Sequence, residues 1–299
     1  MNILVIGSGG FIGKHLCTFL KDKKGYALFY CDINNNGGNE PFLKIDSKEP
    51  DFDKIFGQQE FDLCINCSGA ASVPLSMSEP LLDYYLNVVN VFRILDAIRK
   101  YKPSTKFINL SSAAVYGNPL SLPVSETMLP APVSPYGVHK LQAEQICNSF
   151  STFFNVPTCS LRIFSAYGPG LQKQLFWDLY QKSKTSESIE LFGTGEETRD
   201  FIFIDDLIKA IFIVVENAAF EGECINVANG KQWKIKDVVN HFYTHLGWKG
   251  DVKFKGTTRT GDPDFWEADI NLLASMGFKP EFDIPAGLDQ YAKWVKSLG

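Results

Sequence analysis

Tyr136 and Lys140 stand four residues apart in Pro135-Tyr136-Gly137-Val138-His139-Lys140, a pattern suited to acid/base chemistry. On a helix that spacing puts both side chains on one face, so the ammonium lies beside the phenol. A neighbouring positive charge favours the phenolate. Bringing a tyrosine from its ordinary pKa of about 10 to about 7 needs roughly 4 kcal/mol of differential stabilisation. The pattern alone is weak, because Tyr180 and Lys184 repeat it. Position separates the two pairs. Only the first follows a serine-bearing strand end, Leu110-Ser111-Ser112-Ala113-Ala114-Val115-Tyr116-Gly117. Open α/β sheets bind ligands at that carboxyl edge.

A second constellation sits near Met1. Gly7-Ser8-Gly9-Gly10-Phe11-Ile12-Gly13 follows a short apolar run and opens a helical pattern. Residues without side chains let backbone N–H groups approach a pyrophosphate at a helix N-terminus, where the dipole favours negative charge. Asp32 ends the second predicted strand, nineteen residues after Gly13. A carboxylate there accepts hydrogen bonds from ribose hydroxyls and repels a 2′-phosphate, which selects NAD over NADP. Asp46 follows a third apolar stretch, where it could meet the adenine edge. A bound nicotinamide would add its positive charge to that of Lys140 in stabilising the Tyr136 phenolate.

These residues need elements to place them. Short apolar runs at Asn2 to Ile6, Ala27 to Cys31, Phe61 to Asn66, Lys106 to Leu110 and Thr158 to Ile163 predict strands. Helical periods at Phe11 to Lys23, Leu81 to Tyr101 and Tyr136 to Phe154 lie between them. In the second helix Val88, Val91, Phe92, Leu95 and Ile98 form one apolar stripe. Alternating β and α elements imply right-handed crossovers and a doubly wound parallel sheet of α/β class. After about residue 165 the rhythm breaks. A helix at Leu171 to Lys184, a strand at Arg199 to Ile204, a helix at Asp206 to Glu216 and a strand near Ile225 follow. We expect residues 1–165 to bind the dinucleotide, with 201–230 returning to that sheet. Residues 166–200 and 231–299 would form a smaller substrate lobe.

Composition narrows the classes. Lys and Arg number 29 against 34 Asp and Glu, a net charge of −5, which excludes a general polyanion binder. The 299 residues are 45% hydrophobic and 21% charged, as in an ordinary globular chain. The longest apolar run, Ala210 to Val215, is far short of the roughly 20 residues needed to span a bilayer. With no basic segment or cleavage site near the start, no signal peptide is expected. Seven scattered cysteines suit a reducing cytoplasm. Cys64 and Cys67 have C-x-x-C spacing, but no second pair or histidine completes a ligand set, so they read as packed thiols and no metal is expected.

Taken together, the motifs resemble the extended short-chain dehydrogenase/reductases, specifically their nucleotide-sugar epimerase and dehydratase branch. The resemblance includes the glycines, the Ser111-Ser112 strand end and the Tyr136/Lys140 pair. Further along it takes in Leu161-Arg-Ile-Phe-Ser-Ala-Tyr-Gly-Pro169, Gly195-Glu-Glu-Thr-Arg-Asp-Phe-Ile-Phe-Ile-Asp205, Arg259-Thr-Gly-Asp262, Ala268-Asp269 and Met276-Gly-Phe-Lys-Pro280. It implies Tyr136 as acid/base, Lys140 as its electrostatic partner and nicotinamide-ribose ligand, and Ser112 as the hydroxyl that holds the sugar oxygen. It implies that Arg199 and Arg259 grip a nucleotide diphosphate, that Asp262 makes a nearby nucleotide contact, and that the chain is a homodimer through the helices near 81–101 and 136–154.

Departures from the family pattern sharpen the reading. Dehydratases carry an Asp-Glu pair after the catalytic hydroxyl, where this chain has Ala113 and Ala114, and alanine cannot transfer a proton. Ser165 stands where an asparagine usually contacts substrate, and Ala71 where many relatives carry a longer polar residue. The leading expectation is an NAD-dependent nucleotide-sugar 4-epimerase. A 4-ketoreductase making a deoxysugar is the alternative, followed by a non-catalytic NAD-binding protein, for which Tyr136 or Lys140 should be missing.

Overall fold

The computed structural model describes residues 1–35, 38, 41–257, 261 and 263–299. Strand β1 (Asn2–Ile6) shows how the layers arise. Its Ile3 and Val5 join one core with Leu16 and Leu20 of α1 (Phe11–Lys21), while Leu4 and Ile6 join another on the opposite face. Neighbouring strand residues point to opposite faces, so a strand covered on both sides must be apolar throughout.

The chain continues through β2 (Ala27–Asp32), β3 (Phe42–Lys44), α2 (Phe52–Gln58), β4 (Leu63–Asn66), α3 (Val73–Ser78) and α4 (Pro80–Tyr84). It then forms α5 (Asn90–Tyr101), β5 (Lys106–Ser112), α6 (Pro135–Phe154), β6 (Thr158–Ile163), β7 (Ser165–Tyr167) and α7 (Gln174–Ser183). Next come β8 (Ser188–Leu191), β9 (Thr198–Phe203), α8 (Ile204–Asn217), β10 (Glu221–Val227), β11 (Gln232–Lys234) and α9 (Ile235–Leu246). The last elements are β12 (Asp251–Phe254), α10 (Asn271–Ser275) and α11 (Ile284–Lys296). Seven parallel strands lie in the order β10-β6-β5-β4-β1-β2-β3. Strand order reverses at β1, so the crevice beyond the carboxyl ends of β1 and β4 is where such sheets take ligands. This is the doubly wound α/β fold expected. Helices α1 and α8 contribute to one core, and α2, α5 and α6 to the other.

Two elements differ from expectation. The helix predicted over 81–101 is interrupted by a wide π-helical turn at Tyr85–Val89, and it buries Asn87 as well as Val88. The extra residue in that turn shifts the helix face. Within α5 the buried stripe is Val91, Ile94, Leu95 and Ile98, and Phe92 lies at its edge, half exposed, its ring edge-on to Phe150 at 5.3 Å. The strand predicted at 199–204 is β9, which pairs with β7 and β11 in a three-stranded sheet. Residues 201–203 therefore do not return to the large sheet. Residues 165–167 capture them in parallel pairing, and β10 takes the place beside β6. Among the described residues no helix is long and apolar enough to cross a membrane.

A buried polar network crosses the end of the large sheet. Arg162 of β6 donates to the Glu144 carboxylate of α6 from Nε at 3.1 Å and from Nη2 at 2.8 Å. Its Nη1 reaches the Tyr116 hydroxyl at 2.8 Å, and that hydroxyl donates to Asn226 of β10 at 2.8 Å. Ser111 of β5 donates to Glu144 at 2.5 Å. Removing one partner of a buried ion pair strands the other charge. Arg162→Met should therefore cost about 3–5 kcal/mol of stability in equilibrium urea unfolding. A loss below about 1 kcal/mol, the range of an exposed pair, would show that Glu144 is not held as a buried charge.

Candidate active site

The glycine loop between β1 and α1 is shaped for close approach. Gly7 has φ +79°, and a Cβ there would meet the Cys67 carbonyl carbon at 2.7 Å. A Cβ at Gly13 would lie 2.1 Å from the Gly7 carbonyl oxygen. Side chains are thus excluded on both sides of the turn. Gly10 is the N-cap and offers no side-chain cap, and the first turn of α1 carries no acidic residue. The N–H groups at Phe11, Ile12 and Gly13 have no partner within the helix, which leaves them for an anion.

Asp32 completes this cradle at the end of β2. Its Oδ2 accepts from the Gly9 N–H at 2.8 Å and its Oδ1 from the Ile33 N–H at 2.7 Å. Each oxygen of a carboxylate can accept more than one bond, so capacity for ribose hydroxyls remains. Asp46 lines a cleft of about 470 Å³ with Ile33, Asn34 and Lys44. Its Oδ1 caps its own turn, accepting from the N–H groups of Lys48 at 2.7 Å and Glu49 at 2.9 Å. Those two bonds hold the exposed carboxyl below its ordinary range. Glycine cradle, helix N-terminus and Asp32 together fit a dinucleotide.

Tyr136 and Lys140 lie at the end of β5, where the Lys140 ammonium meets the Leu110 carbonyl. Ser112 caps a short 3₁₀ turn at Ala113–Tyr116, its hydroxyl accepting from the Ala114 N–H at 3.2 Å. Ser134 caps α6 and so fixes where Tyr136 begins the helix. Tyr136 is 8% exposed and Lys140 7%. The Lys140 Nζ donates to the Leu110 carbonyl at 2.8 Å and lies 5.9 Å from the centre of the Tyr136 ring. Burial pushes Tyr136 up to about 12; Ser112 acts as a hydrogen-bonding partner that favours ionisation, and the charge of Asp83 opposes it. Burial pushes Lys140 down to about 8, against the support of Asp83 and Glu144. Both shifts leave a phenol beside an ammonium at neutral pH. Taking Tyr136 from 12 to 7 requires on the order of 7 kcal/mol, more than its sequence implies, because burial adds to the cost.

Ser165 opens β7, half-buried, next to the carboxyl end of β6. Arg199 of β9 is half-buried and donates from Nη1 to the carbonyls of Thr198 at 2.8 Å and Asp264 at 3.3 Å. Its guanidinium also lies 5.5 Å from the Trp266 ring, so the side chain helps to hold the 264–266 segment. Arg259 and Asp262 lie outside the described residues. Between them, Gly261 has φ +89°, and a Cβ there would sit 3.4 Å from Cβ of Ser134. The second Tyr/Lys pair is elsewhere. Tyr180 is packed near Trp177 in the smaller lobe, and Lys184 covers its ring and donates to the carbonyl of Gly299.

Several residues of this region escaped the sequence reading. Asp83 and His139, joined at 2.6 Å, were hidden in helix patterns; the imidazole directly before Lys140 was the available signal. Asp200 is fully buried and accepts from the N–H groups of Asn229, Gly230 and Ala268. Burial pushes it up to about 7 although the three donors pull it down. An acidic residue directly before the apolar run Phe201-Ile-Phe-Ile marked it.

The profile of the NAD dependent epimerase/dehydratase family matches residues 3–228. The chain belongs to that family. A UDP-glucuronic acid 4-epimerase from Bacillus cereus, solved in complex with UDP-glucuronic acid and NAD, is 29% identical, with a TM-score of 0.91 and full coverage of both chains. A UDP-N-acetylglucosamine 4-epimerase from Methanobrevibacter ruminantium M1, solved in complex with UDP-N-acetylmuramic acid, is 28% identical, with a TM-score of 0.88 over 100% of this chain and 99% of that one. UDP-glucuronate 4-epimerase 4 of Arabidopsis thaliana is 25% identical over 99% of this chain and 76% of its own length. Family membership makes Asp32 testable. Asp32→Ala should weaken NAD more than NADP in direct binding titrations, because it removes the acceptor for ribose hydroxyls together with the repulsion of a 2′-phosphate. A parent enzyme that binds both dinucleotides equally would refute that role.

Proposed function

We propose that this chain is an NAD-dependent nucleotide-sugar 4-epimerase in which Tyr136, Lys140 and Ser112 act on the C4 hydroxyl. The observation that carries the reading is Tyr136 and Lys140, both buried, at the carboxyl edge of the sheet and across the crevice from the glycine cradle. Bound NAD supplies the hydride acceptor and, once reduced, the donor. Tyr136 takes the proton from the C4 hydroxyl and later returns it. Lys140, fixed on the Leu110 carbonyl, favours the phenolate and reaches toward the nicotinamide ribose. Ser112 orients the sugar oxygen.

The glycine loop with Phe11 and Ile12 receives the pyrophosphate, Asp32 the adenosine ribose and Asp46 the adenine edge. The lobe of residues 166–200 and 231–299 receives the nucleotide sugar, with Ser165 toward the sugar and Arg199, Arg259 and Asp262 toward the nucleotide diphosphate. Arginine suits bidentate phosphate recognition, which supports that placement. Ala113 and Ala114 after Ser112 leave no group to eliminate water, which favours epimerisation over dehydration.

Incubation with UDP-glucose, UDP-glucuronate and UDP-N-acetylglucosamine tests the reading. A 4-epimer should appear without added reductant; stoichiometric consumption of NADPH would refute it. Tyr136→Phe should lower kcat by at least about 10²-fold with little change in substrate affinity. Tyr180→Phe should be near neutral, and the opposite pattern would overturn the assignment.

The enzyme works as a homodimer in the cytoplasm. Leu81, Tyr85, Phe92 and Phe153 are exposed on α4, the π turn, α5 and α6, around a groove of about 310 Å³ lined by Tyr84, Val88, Phe92 and Ile146. An apolar surface of this kind supports pairing with a second copy. Sedimentation at micromolar concentration should give a dimer; a monomer would refute it. The seven free thiols suit a reducing compartment.

A further inference from the structure

We propose that Asp83, clamped by His139 and Asn87, is a positioning residue of the same site, fastening the first turns of α6 to α4 and supplying the negative charge that holds Lys140 as an ammonium ion. This rests on the roles given above to Tyr136 and Lys140. Asp83 is completely buried on α4. Its Oδ2 lies 2.6 Å from Nδ1 of His139, and its Oδ1 accepts from Nδ2 of Asn87 at 3.1 Å. The Tyr84 ring packs edge-on against the imidazole at 5.3 Å. A buried carboxylate is costly unless held by hydrogen bonds and opposite charge, and here the holding groups come from two elements. One of them, His139, directly precedes Lys140.

The charged and titratable groups around Asp83 explain why it matters. On α6 these are Tyr136, His139 and Lys140, and Tyr84 of α4 packs on the His139 ring. Two carboxylates support the Lys140 ammonium, Asp83 first and Glu144 second. Glu144 already faces the Arg162 guanidinium through several bonds, so much of its field is cancelled. Asp83 faces an imidazole and an amide. Burial leaves Lys140 at about 8, and the Asp83 carboxylate, fastened to the residue directly before it, favours keeping that proton. The same charge opposes ionisation of Tyr136. Removing a negative charge lowers the proton affinity of every neighbour, so both macroscopic steps of the Tyr136/Lys140 pair should fall together.

The test is the pH profile of kcat/KM for the NAD-loaded enzyme, with kcat and KM resolved separately. Asp83→Asn keeps the size and polar contacts but removes the charge. Both limbs should move to lower pH by about one unit, while KM for the sugar nucleotide stays within about twofold. His139→Lys leaves Asp83 in place but sets a lasting positive charge against it, and should move both limbs the same way. This second variant carries the test if Asp83→Asn does not fold. Ultraviolet difference titration against Tyr136→Phe reads the tyrosine step without turnover and should move with the acid limb. A folded Asp83→Asn or His139→Lys enzyme with parental limbs and only a lower kcat would overturn the proposal. Full turnover by Tyr136→Phe would instead remove the acid/base assignment itself, a result read independently of Asp83.

Discussion

The architecture of the site depends on one buried carboxylate, Glu144. Through Ser111 it holds β5, through Arg162 it holds β6, and by its own backbone it belongs to α6, which carries Tyr136 and Lys140. Arg162 passes the constraint to Tyr116 and on to Asn226 of β10, and Asn226 binds the carbonyls of Val124 and Asp269. Five parts of the chain distant in sequence therefore share one hydrogen-bonded reference point beneath the crevice. Such a network is costly when partly satisfied and rigid when complete. Rigidity is what an acid/base pair needs, because proton transfer requires its groups within hydrogen-bond reach of the substrate.

Burial gives the site its chemical character. It places an ammonium and a phenol together where water is scarce, and it drives their proton affinities in opposite directions, lysine down and tyrosine up. The Tyr136 phenolate is therefore disfavoured unless further positive charge offsets its burial. The low dielectric that raises this cost also strengthens each charge that offsets it.

The smaller lobe is fastened by a comparable device. Asp200 gathers the backbone N–H groups of Asn229, Gly230 and Ala268, tying the loop after β10 to the segment that follows Trp266. The Trp266 indole donates to the Gly117 carbonyl, just past the turn that Ser112 caps. Substrate lobe and catalytic strand end are thus joined by direct bonds. A shift in one is transmitted to the other through two buried side chains, Asp200 and Trp266, each bonded to backbone.

Local pattern was enough for much of this. The strand Asn2–Ile6 is an apolar run covered on both faces, and its limits follow from where the run begins and ends. The glycine loop and the Tyr136/Lys140 spacing are equally local, since a tight turn and a shared helix face are set within a few residues. Other features come from contacts between segments distant in sequence. The π turn at Tyr85–Val89 sets an inserted residue against an otherwise regular period. The capture of β9 by β7 depends on strand pairing that no residue type announces. The Glu144–Arg162 and Asp83–His139 pairs arise because a buried charge must find its partner in space, wherever in the sequence that partner lies. Sequence by itself determined the repertoire of chemistry and the parallel sheet that presents it. Tertiary structure decided which charges face one another in the dry interior, and with them the proton affinities on which that chemistry runs.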